Sequence, residues 1–312
     1  MSPLDLTNLI ESIRHFVLTF IEVKLFYYTF IEYNWVFDLN LFFDKSIEEM
    51  GLLTFQSSTV DKSELAKLVK TDDPFQIMPG GRGILSESQL DAFPIGVNRN
   101  VLIHSSYVCR PFGNSIEVSR YCLHQYTRLA KKIGSNSILV HLPKSKSELN
   151  KFASGVNLLT ETVQMNNCVV HLEIEPLAKD LRDITPDYSR LIDVLFESVP
   201  SSYRMVVDTA HLFSNGLDGR DQIAFIEKWK DRIDYIHLNG NTRPMFTSDK
   251  HIPIFDSRNV IPYSDELSKY LAESHFICIA ENSTEHSNRD EWVKYANKYG
   301  FEIVPYSSAH EY

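Results

Sequence analysis

From about residue 50 onward, short runs of apolar and β-branched residues alternate with longer stretches whose apolar positions recur at helical spacing. The runs predict strands over 52–55, 100–104, 137–141, 168–173, 204–208, 233–238 and 276–281. Between them the spacing predicts helices over 115–133, 148–165, 188–197, 221–230 and 264–273. Strands alternating with helices of this size imply parallel βαβ units, and seven or eight such units imply a closed (β/α)8 TIM barrel. An eighth strand is expected upstream, at 23–28 or 35–39. The stretch 70–86, with Asp72, Asp73, Pro74, Pro79, Gly80, Gly81 and Gly83, reads as a loop long enough to be functional or disordered. No internal repeat or linker divides the chain. We expect an atypical N-terminal segment over 1–50, which could include the first barrel strand, followed by a barrel over 51–312.

Composition narrows the class without naming a chemistry. A chain of 312 residues suits one α/β barrel, for which ~250 residues is typical. With 43% hydrophobic and 23% charged residues it has the make-up of a soluble globular protein. A net charge of −10 excludes a protein that coats nucleic acid over its whole surface, but a local cationic groove can sit inside an acidic total. The aromatic-rich stretch 16–43 is broken by Glu22, Lys24, Glu32 and Asp38, short of the ~20 apolar residues of a membrane helix. No signal-peptide pattern is present, and no membrane association is expected. Cys109, Cys122, Cys168 and Cys278 form no CxxC pair, so buried free thiols and a reducing compartment, cytoplasm or nucleus, are expected.

The chemistry lies in where the ionisable residues fall. His104 closes Asn-Val-Leu-Ile-His, His141 closes Ser-Ile-Leu-Val-His, and Glu173 closes Val-Val-His-Leu-Glu. Asp208 ends Met-Val-Val-Asp, His237 falls in Tyr-Ile-His-Leu, and Glu281 ends Ile-Cys-Ile-Ala-Glu. In a barrel these strand ends share one face, the face that carries the active site. His211 and the Asp249–Lys250–His251 loop can reach the same face. A single strand-end histidine is more often a hydrogen-bonded structural residue, and a single strand-end Asp or Glu often caps the next helix. Six in consecutive strands would be costly to bury without compensation, which divalent cations supply. Mixed histidine and carboxylate ligands suit zinc or manganese better than magnesium or calcium. His171, two residues before Glu173, reads as structural, and Glu175 as a helper of the ligands at most.

At these residues the chain resembles the endonuclease IV family of zinc-dependent abasic-site endonucleases, whose barrel is of the xylose-isomerase-like type. His104-Ser-Ser-Tyr107, Asp208-Thr-Ala-His211-Leu-Phe-Ser-Asn-Gly216, His237-Leu-Asn239, Asp249-Lys-His251 and Ala280-Glu281 carry the resemblance, which runs from about residue 95 to 281. It implies three zinc ions, with manganese allowed at some positions. His104, His141 and Glu173 would hold the first; Glu173, Asp208, His237 and Glu281 the second; His211, Asp249 and His251 the third. Glu173 would orient or deprotonate the attacking water, and Tyr107 would contact DNA. The implied partner is double-stranded DNA carrying an abasic site, cut 5′ to the lesion by a monomeric enzyme of base excision repair, which could also trim blocked 3′ ends. The chain departs from the family in lacking a Gly-x-His-x-Ser opening strand and in having Thr54-Phe55-Gln56-Ser57-Ser58 where a basic, aromatic segment is usual. Gly240 and Ile174 also depart from the pattern.

Two rivals remain at this level. A sugar isomerase or epimerase on the same barrel would use Glu173, Asp208, His237 and Glu281 alone. A barrel that binds DNA or a partner without catalysis would have no need of a water-activating carboxylate.

Overall fold

In the computed structural model, described for residues 51–57, 62–80, 83–185, 187–281 and 289–304, eight parallel strands close on one another. In chain order the strands are β1 Leu52–Ser57, β2 Phe75–Ile77, β3 Val101–His104, β4 Ser137–His141, β5 Val169–Glu173, β6 Arg204–Asp208 and β7 Ile233–His237. They continue with β8 Asn239–Asn241, β9 His251–Pro253, β10 Ile277–Ala280 and β11 Glu302–Ile303. Strands β1 to β7 pair in sequence order; β7 then pairs with β10, and β10 with β1 closes the ring. The short β11 also runs parallel to β1, while β8 and β9 form an antiparallel ribbon beyond the end of β7.

Period-2 alternation decides which side chains enter the barrel. Leu102, Leu139, Val206, Tyr235 and Ile279 form an inner apolar layer. Two residues further along each of these strands come His104, His141, Asp208, His237 and Glu281, facing the same way one level higher. The intervening residues, among them Ile103, Val140, Val207 and Ala280, belong to the outer core beneath the helices. The inner layer is therefore a floor, and the ionisable residues stand on it at the C-terminal mouth.

The strand sought upstream of residue 50 is supplied instead by β2, inside the stretch read as a loop. The sequence pattern hides it, because it is three residues long and lies between Asp72-Asp73-Pro74 and Pro79-Gly80, which signal turns. All three of its residues are buried. The alternatives 23–28 and 35–39 lie outside the described residues.

Most predicted helices appear within two residues of expectation, as Ile116–Ile133, Tyr188–Glu197, Gly219–Trp229 and Ser264–Ala272. The stretch 148–165 instead divides into Lys146–Leu149, capped by Ser145, and Phe152–Thr162. Arg289–Tyr299 is a further helix the spacing did not single out. All four cysteines are buried and free, as expected. Among the described residues no helix is long and apolar enough to cross a membrane.

Candidate metal centre

Each strand delivers its side chain to the mouth in a fixed register. His141 stands opposite Glu173 across β4 and β5, and Asp208 opposite His237 across β6 and β7. Three groups result whose donor atoms lie within 4.8 Å of one another: His104, His141 and Glu173; Glu173, Asp208 and His237; and Asp208, His211 and His251. Glu173 and Asp208 are shared between groups, so the three form one cluster. Asp249 and Glu281 flank it. Asp249 Oδ2 lies 2.9 Å from His251 Nε2 and 3.6 Å from His211 Nε2. The two oxygens of Glu281 lie 3.4 Å from His237 Nδ1 and 3.3 Å from His251 Nδ1. All nine residues singled out in the sequence thus meet at one mouth, although Asp208 joins His211 and His251 more closely than the implied grouping has it.

Backbone carbonyls fix two imidazole tautomers, since a carbonyl can only accept. His104 Nδ1 donates to Ser105 O at 2.7 Å, and His211 Nδ1 donates to Ile174 O at 2.7 Å. In the neutral ring each Nε2 is then left with a lone pair turned into the cluster, the arrangement that orients metal-binding histidines. His104 Nε2 and His141 Nε2 stand 3.3 and 3.1 Å from Glu173 Oε2, yet that buried oxygen accepts no hydrogen bond. His211 Nε2 stands 3.1 Å from His251 Nε2. Lone pairs aimed at a carboxylate oxygen or at another imidazole repel unless a cation or a proton lies between them. The donor set therefore fits divalent cations.

The electrostatics agree. Burial alone would strip the proton from His211 and from His237, but the neighbouring carboxylates outweigh it, Asp208 foremost for His211 and Glu281 foremost for His237. His211 is pushed up to about 10 and His237 up to about 9. Burial likewise opposes the charge on Glu173, but the field of His237 and the hydrogen bond His237 gives to Oε1 hold it well below the usual carboxylate range.

Two amides hold the cluster from outside. Gln76, fully buried on β2, accepts from His237 Nε2 at 2.8 Å and donates to Glu281 at 3.2 Å. Asn239 donates to Asp208 Oδ2 at 2.7 Å and to Glu281 Oε2 at 2.8 Å. The turn signals that hide β2 in the sequence hide Gln76 with it; a glutamine inside a fully buried strand is the signal that marks it. Glu175 lies 3.4 Å from His141 Nε2 and binds Lys144 at 2.8 Å. Tyr107 is 54% exposed, its ring stacked on His141 with centroids 5.7 Å apart.

His171 is buried below this level, bonded to Asp234 at 3.0 Å, and Asp234 is gripped by Arg204. It is no part of the cluster.

Comparison with known proteins agrees with the barrel. The family model of the xylose isomerase-like TIM barrel matches residues 92–299. The fold is similar to that of endonuclease IV from Thermus thermophilus, at 14% identity and a TM-score of 0.58, over 80% of this chain and 99% of that one. It is as similar to that of a D-tagatose 3-epimerase-like protein, at 16% identity and a TM-score of 0.56, over 80% and 98%. No curated protein sequence matches the chain.

Proposed function

Because the chain belongs to the xylose isomerase-like TIM-barrel family, we propose that it is a zinc-dependent apurinic/apyrimidinic endonuclease of base excision repair. The substrate would be double-stranded DNA, hydrolysed 5′ to an abasic site to leave a 3′-hydroxyl and a 5′-deoxyribose phosphate. One observation carries this reading over the others. His104, His141, His211, Asp249 and His251 extend the Glu173–Asp208–His237–Glu281 set into a continuous cluster with several cation-sized junctions. A one-metal sugar enzyme needs only the latter four.

When bound, zinc would lower the pKa of a coordinated water and neutralise charge on the phosphate. The residues of the chain do the rest. His104 and His141 would hold one ion together with Glu173, and Asp208, His237 and Glu281 a second with the same carboxylate. His211, Asp249 and His251 would hold the third. Glu173, central and 1% exposed, would orient the attacking water and take its proton. Gln76 and Asn239 keep His237, Asp208 and Glu281 in register. The apolar floor of Leu102, Leu139, Val206 and Ile279 excludes bulk water from below. Tyr107, exposed above His141, would meet the DNA. A sugar with no base to stack is the easiest nucleotide to swing out of a duplex.

The sugar isomerase or epimerase alternative keeps one specific support: Glu173, Asp208, His237 and Glu281 stand at four strand ends with hydrogen-bonded amides behind them. One assay separates the two. A zinc-replete chain incubated with a duplex bearing one tetrahydrofuran abasic analogue should cut on its 5′ side. Glu173→Gln should slow incision by roughly 10²–10⁴-fold, the range for loss of a general base. No incision by the zinc-replete chain would overturn the nuclease function.

A further inference from the structure

Beside the candidate ligands lies a cavity of about 110 Å³ whose polar border is Tyr107, Arg110, His141, Lys144, Glu148 and Glu175, the rest of its lining being apolar. That is several times the space one water requires. Its two cations are held from behind. Glu148, 9% exposed, grips the guanidinium of Arg110, whose side chain is 53% exposed. Glu175, 7% exposed, binds Lys144 Nζ at 2.8 Å, and that lysine side chain is 41% exposed. Glu148 also accepts from the backbone N–H of Lys144 at 3.0 Å, which ties the two pairs together. The acceptors are thus sunk in the protein and already engaged, while a guanidinium and an ammonium keep further donors for the open side. Tyr107 lines the same cavity, and its phenolic hydroxyl adds another donor. Glu175 touches both Lys144 and His141, so this wall is coupled by one carboxylate to the first candidate metal group.

We propose that this cavity is a phosphate subsite, holding a second phosphodiester of the substrate strand next to the one that is cut. The proposal rests on the nuclease function given above. A wall of donors suits an oxyanion; a sugar hydroxyl would call for free acceptors as well. In a chain of net charge −10, cations fixed beside the cluster have particular weight for a polyanionic substrate. Arg110 and Lys144 would hold a phosphodiester other than the one that is cut, so both would be positioning residues.

The test uses the zinc-loaded full chain and the double variant Arg110→Gln/Lys144→Gln, whose amides leave Glu148 and Glu175 a hydrogen-bond donor. Zinc content and melting temperature equal to those of the native chain establish that the variant is folded, and Lys144→Gln alone serves if the double variant is not. On the abasic-analogue duplex, KM should rise about tenfold while kcat holds, the pattern of lost ground-state binding. The slope of log(kcat/KM) against log salt should become shallower by about 0.9, the loss of one phosphate contact. A neutral methylphosphonate at one flanking position should weaken the native chain by a similar factor and the double variant no further, because the two changes remove the same contact. An unchanged salt slope, or penalties that simply add, overturns the subsite. If the native chain does not cut the duplex at all, the nuclease function falls and inorganic phosphate judges the subsite alone. Calorimetric titration should then show one phosphate fewer bound by the double variant than by the native chain, and equal binding overturns it.

Discussion

The two carboxylate oxygens of Asp208 face different partners. Oδ1 accepts from the backbone N–H groups of Ala210 and His211 and so caps the helix Thr209–Ser214, while Oδ2 turns toward Asn239 and the histidines. Helix cap and candidate ligand, set against each other in the sequence, are both true of one side chain. Asp234 is a different case, remote from the cluster. Burial works against its charge, but hydrogen bonds from His171 and Arg204 outweigh that and hold it down to about 2. A carboxylate whose pKa is lower folded than unfolded contributes stability that is present above the unfolded value, near 3.9. That contribution is lost as pH falls toward 2. Urea denaturation should therefore show native stability dropping between about pH 4 and pH 2 by more than that of Asp234→Asn. Parallel pH dependence in the two proteins would remove Asp234 as the cause.

At the scale of elements, the strand ends were legible because a parallel barrel strand announces itself twice, by a β-branched run and by the residue that closes it. The exception was β2, three residues between turn signals, and with it went Gln76 and the completeness of the barrel. The hairpin of β8 and β9 was illegible for another reason: Asn239-Gly240-Asn241 has no strand character, and its pairing with His251–Pro253 depends on tertiary contacts. That hairpin carries His251 toward the mouth, and the buried Asn241 pins the intervening loop at Arg243 and Lys250. The C-terminus of the helix Ile116–Ile133 is limited more simply. Gly134 ends it at φ +84°, and a Cβ there would come within 2.4 Å of Val97 Cα. Left-handed backbone costs a non-glycine residue roughly 1–2 kcal/mol even before that backbone clash. Gly134→Ala should lower unfolding stability by at least about 2 kcal/mol in a urea titration. A change under about 0.5 kcal/mol, the range of an ordinary surface substitution, would mean the turn relaxes freely.

For the whole molecule, the test of the metal cluster is stoichiometry. Metal analysis of the zinc-saturated chain should give about three ions, with tetrahedral-type histidine and carboxylate ligation. One zinc or manganese would favour the sugar enzyme. Zinc at a hundred times its dissociation constant should stabilise the fold by about 2.7 kcal/mol per site. For a chain of this size that is roughly 5–10 °C in melting temperature for one site. Magnesium should do far less, given the nitrogen-rich donor set. A melting temperature indifferent to zinc would argue against a cluster that binds in the folded state. The sequence by itself determined the strand and helix alternation, the strand-end positions of His104, His141, Glu173, Asp208, His237 and Glu281, and the residue types of all nine candidate ligands. These follow from local periodicity and chain order. Only the tertiary structure decided that β2 completes the barrel and that Gln76 and Asn239 support the cluster. Only it, too, turned His104 Nε2 and His211 Nε2 inward, and set Arg110 and Lys144 against buried carboxylates beside the cluster. Each of these depends on groups far apart in sequence meeting across a closed sheet, and no local pattern encodes which atom of a side chain will face which neighbour.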